Sequence, residues 1–149
     1  MGSDRDAALI QDCKAGDRQA LGSLVRRYER PVYNAAYRML GNEDEAADVA
    51  QTTFLKVFEN LGRFKPKHKF FSWIYRIAVN ESINQINRRK RHVELVDDQT
   101  ASNRSPDDLA EAERLCNQVQ TVLLALNEDH RAVIVTDVGQ HQMIACRYA

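Results

Sequence analysis

The sequence predicts an all-α fold, and three observations carry that expectation. Apolar residues recur at spacings of three and four along most of the chain, and no segment alternates convincingly at period two. Short polar breaks rich in helix-capping residues separate these stretches, notably "AGD" at 15–17 and "GNEDEA" at 41–46. Only three prolines and six glycines interrupt the 149 residues.

Asp4 to Ala15 reads as a short first helix, with Ala8, Leu9 and the apolar side of Cys13 on one face. Asp17 can cap the next helix, because its carboxylate accepts from the free amides of a first turn. That helix, "RQALGSLVRRYERPVYNAAYRML", lines up Leu21, Leu24, Val25, Tyr28, Val32, Ala35, Ala36 and Met39 as a buried stripe. Pro31 lacks an amide donor and is expected to kink or restart it. Gly41 suits a C-cap and Asn42 an N-cap, with Glu45 three residues later as in a capping box. The helix over 42–60 carries Ala47, Ala50, Phe54, Val57 and Phe58 on its apolar side, with Leu61 just beyond. A basic loop with Pro66 covers 62–70, and a long helix runs from about Phe71 to Arg91.

From Val93 to about Asp107 the composition turns polar and aperiodic, which marks a linker. Ser105-Pro106-Asp107-Asp108 starts a further helix with Leu109, Ala112, Leu115, Cys116, Val119, Val122 and Leu123 as its stripe. A turn at 127–130 precedes a last helical pattern from Arg131. The expected organisation is a helical domain over 1–92, a linker over 93–107 and an incomplete helical segment over 108–149. A helix pair of that size buries little apolar surface by itself.

Composition excludes several function classes. No apolar run approaches the roughly 18–20 residues of a membrane span, and "MGSDRDAALIQDC" has no signal-peptide pattern. The chain is expected to be soluble and cytoplasmic. Cys13, Cys116 and Cys146 are too scattered for a disulfide framework, and no metal-ligand spacing occurs, so neither metal nor cofactor is expected. No Ser/His/Asp arrangement, phosphate-cradling glycine loop or evident carboxylate pair points to an enzyme.

The zero net charge hides a strong asymmetry. Residues 63–92 hold nine Lys/Arg against Glu81 alone, and residues 93–129 hold nine acids against Arg104 and Arg114. A basic block of this kind suits a polyanion. Within it, "WIYRIAVNESINQINRRKR" sets Arg76, Asn80, Asn84, Asn87 and Arg91 along one side of a helix, although asparagine is a poor helix former. An Asn amide offers a donor and an acceptor to a base edge, and cations neutralise phosphates.

The stretch "GDRQALGSLVRRYERPVYNAAYRMLGNEDEAADVAQTTFLKVFENLGRF", followed by "FFSWIYRIAVNESINQINRRKR", resembles region 2 of an extracytoplasmic-function (group 4, sigma-70 family) sigma factor. The likeness rests on Asp48-x-x-Gln51, Phe54-x-x-x-Phe58 and Phe70-x-x-Trp73-Ile-x-x-Ile-Ala-x-Asn80, in that order. "LALNEDHRAVIV" at 124–135 resembles the opening of region 4. The family's helix-turn-helix is not visible in "TDVGQHQMIACRYA", which fits a natural truncation, a frameshifted reading or a diverged tail, and leaves no −35 reader in view.

The resemblance implies a promoter-specificity subunit that holds the non-template strand of the −10 element as single strand and helps melt it. It assigns DNA contact to Arg63, Lys65, Lys67, Lys69, Trp73, Arg76, Asn80, Asn84, Asn87, Arg88, Arg89 and Arg91, with 62–70 as a specificity loop. Trp73 fits a core position as well as a stacking platform. It implies docking on the β′ clamp helices of core RNA polymerase through Glu45, Asp48, Gln51, Thr52 and Lys56, opposite the apolar stripe of helix 42–60. An anti-sigma factor is a further implied partner. The alternative is a sigma-like decoy that binds an anti-sigma factor without recognising promoters. A decoy has no need of the basic loop or the asparagine file.

Overall fold

The computed structural model describes residues 2–65, 69–95 and 111–146. Its helices are α1 (Gly2–Lys14), α2 (Arg18–Leu40), α3 (Glu43–Asn60), α4 (Phe70–Leu95), α5 (Glu111–Ala125) and α6 (Glu128–Cys146), with a 3-10 turn at Leu61–Arg63. α2, α3 and α4 pack against one another, α1 covers α2, and the α5–α6 hairpin lies against α2 and α4.

The caps form as their residue types require. Asp17 accepts from the amides of Gln19 and Ala20 at 2.8 and 3.3 Å, and Asn42 accepts from Glu45 at 3.0 Å. Gly41 ends α2 in the left-handed region at φ 70°, and its amide bonds Tyr37 O at 2.7 Å. Only half of the expected capping box is made, because the Glu45 carboxylate turns towards α4.

α2 runs unbroken through Pro31. Tyr28, Val32, Ala35 and Ala36 stay buried on one face, so packing outweighs the one hydrogen bond that proline removes. Two core clusters lie along this helix. Leu24, Tyr28, Val32, Val57, Ile74 and Ala78 belong to the first. Met39, Ala46, Val49, Tyr75, Val79 and Ile86 belong to the second, where Leu123 and Val135 join from the hairpin.

Several expected faces shift. On α1 the buried residues are Asp6, Ile10 and Cys13, while Ala8 is exposed. Asp6 earns its place by accepting from Tyr28 Oη at 2.6 Å and pairing with Arg27 Nε at 3.1 Å. On α3, Ala46, Val49 and Thr53 are buried and Ala47 is exposed, since Ala47 sits about a quarter turn from the centre of the stripe. α4 continues to Leu95, past the expected start of the linker at 93; residues 96–110 lie outside the described residues. α6 begins at Glu128 rather than Arg131, because Asn127 Oδ1 accepts from the Asp129 amide at 2.8 Å and shortens the turn.

The α5 stripe is mostly outside. Leu115, Val119 and Val122 are 62%, 51% and 64% exposed, Cys116 is exposed, and of this group Leu123 is buried. The face that docks adds polar groups to Leu123 and Val135, because it meets the bare carbonyl end of α2. Gln120 Nε2 donates to Tyr37 O and Arg38 O at 3.1 and 3.3 Å. Arg131, itself buried, donates to Met39 O on α2 and to Leu123 O, Leu124 O and Leu126 O at the end of α5. Its guanidinium therefore sits at two helix C-termini, where a cation is favoured. Tyr75 Oη reaches Val135 O at 3.1 Å.

Gly41 has a second reason to be glycine. A Cβ there would lie 2.7 Å from Leu124 Cδ1, and φ 70° is costly for any L side chain. Gly41→Ala is expected to destabilise the fold by about 1–2 kcal/mol, read as a lower Tm. An unchanged Tm would contradict the close approach of α5.

Candidate nucleic-acid interface

α4 positions the site by dividing its two sides cleanly. Ile74, Tyr75, Ala78, Val79, Ser82 and Ile86 face the core, and the Ser82 hydroxyl is satisfied by Ala78 O at 2.8 Å. Arg76, Asn80, Asn84, Asn87, Arg88 and Arg91 are exposed on the other side. The polar file is thus one continuous outward surface, as the spacing of three and four requires.

At the head of α4, Trp73 is half-buried and packs on Phe64 and Phe70 with ring centroids 5.1 and 5.7 Å away. Phe64 and Phe70 are buried, so this aromatic knot fixes both ends of the basic loop. Arg63, Lys65 and Lys69 are exposed at its rim, whereas Lys67 falls outside the described residues.

The cationic run 88–91 does not act as one block. Arg89 pairs with Glu45 on α3 and donates to Leu40 O at 3.5 Å. Burial, and secondarily Arg131, hold its guanidinium below the usual arginine value. Arg89, expected among the DNA contacts, thus also ties α4 to α3 while its side chain stays exposed. Lys90 bonds Glu128 on α6 at 2.5 Å. That hydrogen bond is the main reason the Glu128 carboxyl is held below its ordinary value of 4.5. Its contribution is complete above that value and fades as pH falls through the lower folded one. Arg88 and Arg91 remain outward beside the asparagines.

α3 presents a second face. Asp48 and Gln51 are exposed, and Thr52 is half-buried with its hydroxyl donating to Asp48 O at 3.0 Å. Glu45 and Lys56, expected on this face, make contacts with α4: Glu45 bonds Gln85 and Arg89, and the partly exposed Lys56 pairs with the buried Glu81. Leu55, 57% exposed, lies on the outer face, and the sequence reading missed it. Its signal was the spacing 48, 51, 55, which puts an apolar residue on a polar strip. Among the described residues no cluster of His, Cys, Asp or Glu could hold a metal ion, and no helix is long and apolar enough to cross a membrane.

The family model for sigma-70 region 2 matches residues 24–92, which span α2 to α4 and hence both faces. The Bacillus subtilis ECF RNA polymerase sigma factor SigW is 34% identical over 139 residues, covering 85% of this chain and 74% of SigW. An engineered region 2 of sigmaE, solved in complex with GTAAAA, is similar in structure with a TM-score of 0.56 at 35% identity, covering 60% of this chain and 93% of that one. CnrH, solved with the cytosolic domain of CnrY, has a TM-score of 0.58 at 27% identity, covering 86% and 70%. The chain spans about half the length of two further relatives, sigma-H of Pseudomonas aeruginosa (46%) and SigE of Mycolicibacterium smegmatis (49%). With its matching region on the helices that carry the two exposed faces, the chain belongs to the ECF RNA polymerase sigma factors.

Proposed function

We propose that this chain directs core RNA polymerase to promoters, docking through the outer face of α3 and holding the non-template strand of the −10 element on the outer face of α4. The observation that carries the reading is the exposed file Arg76, Asn80, Asn84, Asn87, Arg88 and Arg91, on a segment similar to a region 2 solved with GTAAAA. Amides can address base edges while the arginines, with Arg63, Lys65, Lys67 and Lys69, neutralise phosphates. Unstacking a base costs on the order of a few kcal/mol, and stacking returns about 1–3 kcal/mol per base. Binding energy thus drives melting, and no covalent step belongs to this chain. A decoy that ignores promoters would need none of these groups, and the matched relatives are named sigma factors.

Asp48, Gln51 and Leu55 form the docking strip for the β′ clamp helices: an acidic and an amide group followed by an apolar one. Asp48→Arg is expected to weaken assembly with core polymerase roughly tenfold, most strongly at low salt, because charge reversal slows encounter. A pull-down on the β′ clamp helices that shows no change at any salt would remove α3 from the interface. A protein regulator, an anti-sigma factor in the family's terms, is the second partner, as CnrH is solved with CnrY. The exposed Leu115, Val119 and Val122 on α5 offer it an apolar surface.

A further inference from the structure

Glu81 is the one acid in the basic block, and it is buried, only 7% exposed, between α3 and α4 beneath the asparagine file. A buried carboxylate needs a cation and hydrogen-bond donors to persist. Lys56 of α3 supplies the cation, and Asn84 Nδ2 donates to the same oxygen, Oε1, at 3.3 Å. An ionised carboxylate can only accept hydrogen bonds, so the half of the Asn84 amide that meets it must be the NH2. The carbonyl oxygen, Oδ1, is then left on the exposed side of α4.

We propose that Glu81 is a positioning residue that sets which way round Asn84 faces the promoter strand, and so makes it a reader of the edge atom that is an amino group in adenine (N6) and cytosine (N4). The proposal rests on the reading of α4 as the strand-holding face. An outward acceptor pairs with the amino group of adenine N6 or cytosine N4, and meets only another acceptor at the keto oxygen of guanine O6 or thymine O4. Read at that edge atom, the arrangement selects A or C over G or T at one position. Because Lys56 stands on the docking helix, the same buried carboxylate also joins α3 to the reading face.

The test uses the full chain assembled with core polymerase and promoters in which each −10 position is changed in turn to all four bases. Open-complex formation is the readout. Asn84→Ala should erase an A/C-over-G/T preference of roughly 3–10-fold at one position, which locates the base that Asn84 meets. Glu81→Gln keeps an oxygen where Oε1 accepts from both Lys56 and Asn84, and should retain the preference. Glu81→Met removes that acceptor and frees the Asn84 amide to turn, so the preference at that position should collapse, with the other positions unchanged. Asn84→Asp, whose carboxylate is repelled by Glu81 and turns outward from this exposed position, presents acceptors only and should keep the A/C preference while binding more weakly overall.

The proposal is overturned if Glu81→Met retains the preference that Asn84→Ala erases, or if Glu81→Gln or Asn84→Asp loses it. Should Glu81→Met fail to fold, Glu81→Gln and Asn84→Asp decide. A different result, in which Asn84→Ala erases no preference at any position, would remove Asn84 as a reader and the proposal with it.

Discussion

Replacing Arg131 with alanine is expected to release the α5–α6 hairpin from the rest of the protein. The side chain donates to carbonyls of both α2 and α5, and its removal leaves those groups without their charged donor in a buried place. The loss is about 3 kcal/mol, from stranded acceptors and the missing charge at two helix C-termini. In hydrogen exchange, protection of amides in 111–138 should fall roughly 100-fold, while α2, α3 and α4 keep theirs. Arg131→Lys should lie between, because one ammonium cannot span carbonyls from two helices as a planar guanidinium does. Unchanged protection in 111–138 would show that Leu123 and Val135 hold the hairpin without the arginine.

The parts of this fold that obey local rules were legible in the sequence. Asp17, Gly41 and Asn42 cap their helices because a first or last turn must satisfy its free amides and carbonyls within a few residues. The asparagine file could be placed on one face for the same reason, since spacing alone fixes direction around a helix. What required the structure depends on partners far away in the chain. Arg89 and Lys90 gain ion pairs because Glu45 and Glu128, 44 and 38 residues away, meet them across helices. Nothing local separates them from Arg88 and Arg91. Lys56 and Glu45 are likewise drawn into contacts with α4, and Leu55 is exposed beside Asp48 and Gln51. The α5 stripe misled because periodicity reports that a face is apolar, not that something covers it; the docked side of α5 runs through Gln120 instead.

Reading and holding are separable, and the central claim is that α4 does both with different residues. Asn80 stands in the first half of the exposed file, and Arg88 stands near its end. If amides address base edges, Asn80→Ala should lower discrimination among −10 sequences about tenfold, with the salt dependence of binding unchanged. If Arg88 meets a phosphate, Arg88→Ala should weaken binding evenly across sequences and reduce the salt slope by about 0.7, the single-strand value per phosphate. The measurement is open-complex formation by holoenzymes carrying each variant, on promoters altered at one −10 base at a time, at two salt concentrations. The account predicts a change of preference for Asn80→Ala and a change of slope for Arg88→Ala. Wild-type promoter preference in the Asn80→Ala holoenzyme would contradict it, and the asparagine face of α4 would then be solvated surface with no part in reading the promoter.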